Sequence, residues 1–169
     1  MRLWRTEAFE SAMQVSKTNA MRILDAQKVP YEVLAYNNED GQIHGTAVAE
    51  KVGRPPESVF KTLVSHSGSN LYVFVIPVAE ELDLKKAAKA AGEKKIEMLP
   101  MKDLQKWTGY IRGGCSPVGM KKHYPTFIDQ SAETLEKMAV SAGKIGMQVE
   151  LPPGRLAEAV SGTFTELVK

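Results

Sequence analysis

A lysine interrupts a run that otherwise has the composition of a buried strand, Val59-Phe60-Lys61-Thr62-Leu63-Val64, bounded by Pro55-Pro56 and Ser67-Gly68. An ammonium group left unpaired in an apolar interior loses its hydration and tends to shed its proton. Lys61 must therefore snorkel to water along a sheet face, find a fixed partner, or line a cavity that receives something anionic or carbonyl-rich. A second segment, Gly113-Gly114-Cys115-Ser116-Pro117-Val118-Gly119, has three glycines, a serine and a proline. So little side-chain bulk lets backbone N–H groups approach a ligand closely, although an ordinary tight turn has the same composition.

The other reactive side chains form no familiar constellation. Cys115, the only cysteine, lies between Gly114 and Ser116 without an evident histidine partner, and reads as a small space-filling residue rather than a nucleophile. His44, His66 and His123 are scattered, none at metal-ligand spacing from a cysteine or acid, and surface or loop positions are expected for them. Ser-His-acid, zinc and P-loop patterns are absent. An enzyme built from this inventory works without metal or cofactor, and without a conventional protein general base.

The elements that must position these groups can be read from periodicity and punctuation. Thr18 to Val29 reads as an amphipathic helix ended by Pro30, with Met21, Ile23 and Leu24 inward. Tyr31 to Tyr36 reads as a strand, and Thr46 as the cap of a short helix stopping at Gly53. The lysine strand and Leu71 to Ile76 form a hairpin through Ser67-Gly68-Ser69-Asn70. Asp83 caps an alanine-rich helix to Ala91, closed by Gly92. Lys95 to Leu99 reads as a strand and Met101 to Trp107 as a helix. Thr126 to Asp129, Lys137 to Ser141 and Met147 to Leu151 are strand-like. Pro152-Pro153 opens a helix to Val160, and Thr163 to Val168 is the last strand. The irregular alternation, with a hairpin and no βαβ rhythm, predicts an α+β fold with a mixed, curled, barrel-like sheet flanked by helices.

At 169 residues, 43% hydrophobic and 25% charged, the chain has the composition of a single globular domain spanning 1–169, with residues 1–16 (Leu3, Trp4, Phe9, Met13) as an extra amphipathic N-terminal segment. Glu7 and Glu10 break up any secretory signal, no apolar run reaches the ~20 residues of a membrane span, and a lone cysteine suits a reducing compartment; a cytoplasmic protein is expected. Net charge is +2, but residues 84–123 carry +7 and the remainder −5. Such asymmetry fits a side that meets a polyanion, and equally a solvated helix face; Trp107 and Tyr110 nearby could stack on bases or belong to the core.

Taken in order, Phe60-Lys61-Thr62-Leu63, Leu84-Lys85-Lys86-Ala87-Ala88, Thr108-Gly109-Tyr110, the glycine loop, and Val140-Ser141-Ala142-Gly143-Lys144-Ile145-Gly146 resemble the YbaK family. These are free-standing aminoacyl-tRNA deacylases related to the editing domain of bacterial prolyl-tRNA synthetase. The resemblance covers about residues 17 to 168. It implies the same architecture, a mischarged tRNA as substrate, transient association with prolyl-tRNA synthetase, and no membrane. Residue by residue it implies an essential Lys61, with Tyr36, Thr62, Gly113, Gly114 and Ser141 around the substrate. Thr62, where sister branches carry asparagine, implies the Cys-tRNA(Pro) branch, with Cys-tRNA(Cys) as a further substrate.

In that branch the substrate's own thiol is thought to attack its ester carbonyl, a route that needs only orientation. Ala142 departs from the glycine often found there, and its methyl is expected to narrow the pocket. The alternatives are a deacylase for another mischarged tRNA such as Ala-tRNA(Pro), a non-catalytic tRNA- or synthetase-binding module, and a Schiff-base enzyme using Lys61 covalently.

Overall fold

The computed structural model describes residues 17–169, so the N-terminal amphipathic segment lies outside the described residues. Helix α1 spans Asn19–Ala26 and is capped by Thr18, whose Oγ1 accepts from the Met21 N–H at 3.1 Å. It ends earlier than the sequence predicts. Lys28 adopts φ +57°, turning the chain back so that the Val29 N–H reaches the Leu24 carbonyl, two residues before Pro30. After β1 (Glu32–Ala35) comes α2 (Gly45–Val52), closed by Gly53 in the left-handed conformation. His44, not Thr46, occupies its N-cap position, and makes no side-chain capping bond.

A short 3-10 turn (Pro56–Ser58) leads into β2 (Phe60–Ser67) and β3 (Asn70–Pro77), joined by the two-residue Gly68-Ser69 turn. The helix α3 (Leu84–Ala91) follows, its cap Asp83 accepting from the Lys85 and Lys86 N–H groups. Next come β4 (Glu97–Met98), α4 (Met101–Thr108), β5 (Thr126–Asp129), a 3-10 turn (Gln130–Thr134), β6 (Met138–Lys144), β7 (Met147–Leu151), α5 (Pro153–Val160) and β8 (Thr163–Thr165). The fourth and last strands are shorter than expected. Beyond Thr165 the chain keeps only one bridge, Val168 to Leu82.

The α+β class with a mixed sheet is as expected, but the single curled sheet is divided in two. Strands β4-β2-β3-β5-β8 form a mixed five-stranded sheet and β1-β7-β6 an antiparallel three-stranded one. Among the described residues one bridge, Val59 to Ala139, connects them, and the barrel does not close. The main core lies between the sheets: Phe60, Val64, Val73 and Val75 meet Met138, Val140, Val149 and Leu151, with α1 and α5 covering the ends. On the far side of the large sheet, Phe74, Ile76 and Leu167 pack on α3, and Phe74 stacks on Phe127 at 5.5 Å. Each such fully buried aliphatic or aromatic side chain contributes about 1.5–3 kcal/mol.

Candidate active site

A cavity of about 720 Å³ runs along β2 on the side that β3 does not cover. Its existence follows from the division of the sheet. At one end of β2, β4 pairs with Ser65 and His66; at the other, Val59 meets Ala139. Between these contacts no strand lies alongside. The Val59 carbonyl accepts from the Val78 N–H, so by ladder alternation the peptide groups of Phe60, Thr62 and Val64 face away from β3. The Val64 carbonyl is taken by the Leu99 N–H at 3.0 Å, leaving the Thr62 N–H and C=O facing the cavity. An open strand edge is a ready set of donors and acceptors for a ligand.

Around this edge the walls are the start of α2 (His44, Gly45, Thr46, Val48), Met98 and Leu99, Met101 and Leu104 of α4, and Arg112, Gly113, Cys115 and Gln148. Lys61 lines the cavity, partly buried. Desolvation holds its pKa below the ordinary lysine value, with Glu81 and Glu80 pulling weakly the other way through charge alone. It makes no hydrogen bond or ion pair among the described residues. Of the three fates open to it, Lys61 has the cavity and no fixed partner.

Thr62 lines the same cavity, and its Oγ1 is buried without a hydrogen-bond partner among the described residues. Gly113 joins them from the glycine loop. It holds φ +85°, and a Cβ there would lie 2.9 Å from Ile43 Cδ1, so glycine lets this loop seat against the loop before α2. Gly114 is buried behind it, its N–H donated to the Ile111 carbonyl.

Tyr36 and Ser141 are not on the lining. Register nevertheless relates them to it: Leu34, Gln148 and Ser141 oppose one another across β1, β7 and β6, and Tyr36 continues that face with its N–H on the Gly146 carbonyl. Ser141 Oγ accepts from the Gly143 N–H, whereas the buried Tyr36 hydroxyl has no partner among the described residues. Ala142 points the other way, into the main core, so its methyl does not narrow the cavity.

Cys115 is buried and its thiol is pushed up to about 12 by that burial. A group so rarely ionised near neutral pH is a poor nucleophile. The histidines divide. His44 is exposed at the cavity mouth, and His123 is exposed with Nε2 near the Val160 carbonyl. His66 lies within β2 rather than in a loop. Among the described residues no group of three or more His, Cys, Asp or Glu could hold a metal ion. Tyr110 sides with the core, its hydroxyl donated to the Val118 carbonyl, while Trp107 is half-exposed beneath Lys106.

Sequence reasoning missed Arg112, His44 and Gln148 as lining residues. Gln148 had a signal: in Met147-Gln148-Val149-Glu150-Leu151 the polar residues alternate, marking one face of a buried strand as polar. Glu150 on that face is answered by Arg54, at 2.6 and 3.2 Å; Gln148 is not answered.

The profile of the aminoacyl-tRNA editing domain family matches residues 44–159. An Enterococcus faecalis protein provisionally named Cys-tRNA(Pro)/Cys-tRNA(Cys) deacylase EbsC is 47% identical over 152 residues, covering 89% of this chain and 93% of that one. The proline–tRNA ligase of Burkholderia orbicola is 23% identical over 145 residues, 83% of this chain but only 25% of the ligase. Among solved structures, a trans-editing enzyme provisionally assigned to prolyl-tRNA synthetase superposes with TM-score 0.77 at 18% identity, over 90% of this chain and 98% of that one.

Proposed function

Because this chain belongs to the aminoacyl-tRNA editing domain family, we propose that it is a trans-acting deacylase that removes cysteine from mischarged Cys-tRNA(Pro), with Cys-tRNA(Cys) as a further substrate. The observation that carries the reading is Lys61, a partly desolvated cation that among the described residues has no partner, beside an open strand edge in a cavity that none of their carboxylates lines. A protein wall without a nucleophile or an acid–base pair suits a substrate that brings its own nucleophile. The thiolate of the cysteinyl group attacks the ester carbonyl carbon and a C–S bond forms. The tetrahedral oxyanion then collapses with cleavage of the C–O bond to the ribose, and the thiol proton ends on the departing ribose oxygen. Water opens the strained thiolactone to free cysteine.

Lys61 stabilises the developing oxyanion or the phosphate of the terminal nucleotide, the Thr62 edge and the Gly113–Gly114 backbone orient the ester, and Tyr36 and Ser141 support that wall. Proline and cysteine have similar volumes, so a synthetase pocket separates them weakly and a second site is needed. On this reading residues 1–169 act as one domain in the cytoplasm, and prolyl-tRNA synthetase, in transient complex, supplies the tRNA selectivity.

His44 at the cavity mouth is the group that activation of water would require, and the substrate decides between the two routes. First-order ester loss is measured under single-turnover conditions for Cys-, Ser-, S-methyl-Cys- and Pro-tRNA. Thiol attack predicts rapid loss for Cys-tRNA alone, since a thiol of pKa about 8.5 already has some thiolate near neutral pH and a hydroxyl has essentially none. Equal rates for Cys-tRNA and its S-methyl form would assign the attack to water. Ala-tRNA(Pro) in the same panel tests the sister specificity, and borohydride trapping tests a Lys61 Schiff base.

A further inference from the structure

We propose that Gln148 is a specificity-determining residue that receives the α-ammonium group of the aminoacyl ester, an inference that rests on the deacylase reading above. Gln148 is 6% exposed, lines the cavity, and its Oε1 is buried with no hydrogen-bond partner among the described residues. A buried amide oxygen without a donor opposes folding, a cost that a bound ligand's donor offsets. Across the sheet its neighbours on the same face are Leu34, which has no donor in its side chain, and Ser141, whose Oγ accepts from the Gly143 N–H and makes no hydrogen bond to Gln148.

The chemistry of the missing donor follows from the rest of the wall. Among the described residues no Asp or Glu lines the cavity, so a cationic ligand group finds no carboxylate there. Glu150, two residues along the same face, is held by Arg54 and covers no part of the lining. Among the described residues Gln148 supplies the one side-chain carbonyl oxygen of the cavity lining. An aminoacyl ester presents one strong donor, its α-ammonium group, and a charged donor to a neutral acceptor makes a strong hydrogen bond. A carboxylate in this place would bind an amine more tightly, but it would also add a negative charge to the cavity that Lys61 lines. Glutamine accepts the amine without adding that charge.

Binding of two non-hydrolysable adenosine conjugates tests this without relying on turnover: 3′-cysteinylamino-adenosine and the 3-mercaptopropionyl analogue, which lacks only the amine. Wild-type protein is expected to bind the cysteinyl conjugate more tightly by on the order of tenfold to a hundredfold. Gln148→Leu is expected to lose that preference while binding the analogue as wild type does. Gln148→Glu is expected to increase the preference, and to slow ester cleavage of Cys-tRNA by adding a negative charge to the cavity that Lys61 lines.

A Gln148→Leu protein that loses affinity for both conjugates equally, or a wild type indifferent to the amine, overturns the assignment. Should Gln148→Leu fail to fold, the Gln148→Glu protein carries the test, and an unchanged or smaller amine preference there overturns it. Ester cleavage is followed separately. Amine discrimination through Gln148 without deacylation would overturn the deacylase reading alone, and deacylation without discrimination would overturn this one alone.

Discussion

Holding the Lys61 ammonium unpaired in a cavity wall opposes folding, because desolvation lowers its pKa from the ordinary 10.5. The folded state then binds its proton less tightly than the unfolded chain. The penalty is complete below the folded pKa and is relieved as pH rises between that value and 10.5. Lys61→Met should therefore be at least as heat-stable as wild type at pH 7, with the difference fading above pH 10.5, while single-turnover deacylation falls about 10²–10³-fold. Lys61→Arg should not restore it, since the guanidinium is larger, planar and differently hydrated. A folded Lys61→Met protein with wild-type turnover would remove Lys61 from the mechanism. Cys115, buried with a raised pKa, is expected to be structural. Cys115→Ala should cost about 1 kcal/mol in denaturant titration and leave the rate near wild type; loss of activity in the folded variant would revive a thiol nucleophile.

The cavity is positioned by the way α2 enters the structure. A Cβ on Gly45, at the first position of the helix, would lie 2.5 Å from Val78 Cβ, so only glycine lets α2 seat this closely at the end of β3. Gly45→Ala must push the helix away or distort it, at a cost of about 1–3 kcal/mol. At roughly 2–4 °C per kcal/mol for a chain of this size, thermal melting should fall by several degrees. The same displacement moves His44 and Thr46 in the cavity wall, so KM for Cys-tRNA should rise even at temperatures where the variant is fully folded. A variant with lowered Tm and unaltered KM would show that the α2 wall does not touch substrate.

Across the whole molecule, part of the excess positive charge lies on the elements that border the cavity. Lys102 and Lys106 stand exposed on α4, Arg112 lines the cavity, and Lys121 and Lys122 are exposed beside the glycine loop, with Lys121 Nζ on the Lys106 carbonyl. Elsewhere in the same basic segment, Lys86 is paired with Glu166 and Lys95 with Glu97. A rim of this kind binds the phosphate backbone with little sequence preference and releases counterions. Binding of tRNA should weaken steeply with salt. Lys121→Glu with Lys122→Glu should lower affinity for all tRNAs alike and reduce the log–log salt slope by about one to two. Filter binding from 50 to 200 mM salt reads both, and an affinity indifferent to salt and to the reversals would move the tRNA surface elsewhere.

Local signals in the chain determined the element types. Asp83, Gly53, Gly92 and Pro153 sit at helix ends because their φ preferences and cap geometry act over a few residues, and β5, β7 and α5 have the bounds that their apolar patterns mark. The oddity of Lys61 within its strand and the glycine loop were equally legible, as was the family they belong to. Tertiary structure alone decided what these groups face. The uncovered edge at Thr62 exists because β4 stops after two residues and the two sheets share one bridge, a matter of pairing between segments far apart in sequence. The orientations of Ala142 into the core and of Gln148 into the cavity were set by register across β1, β7 and β6, where a shift of one residue would exchange them. Single-residue propensities carry no information about that register, because it is fixed by the packing of both sheet faces at once.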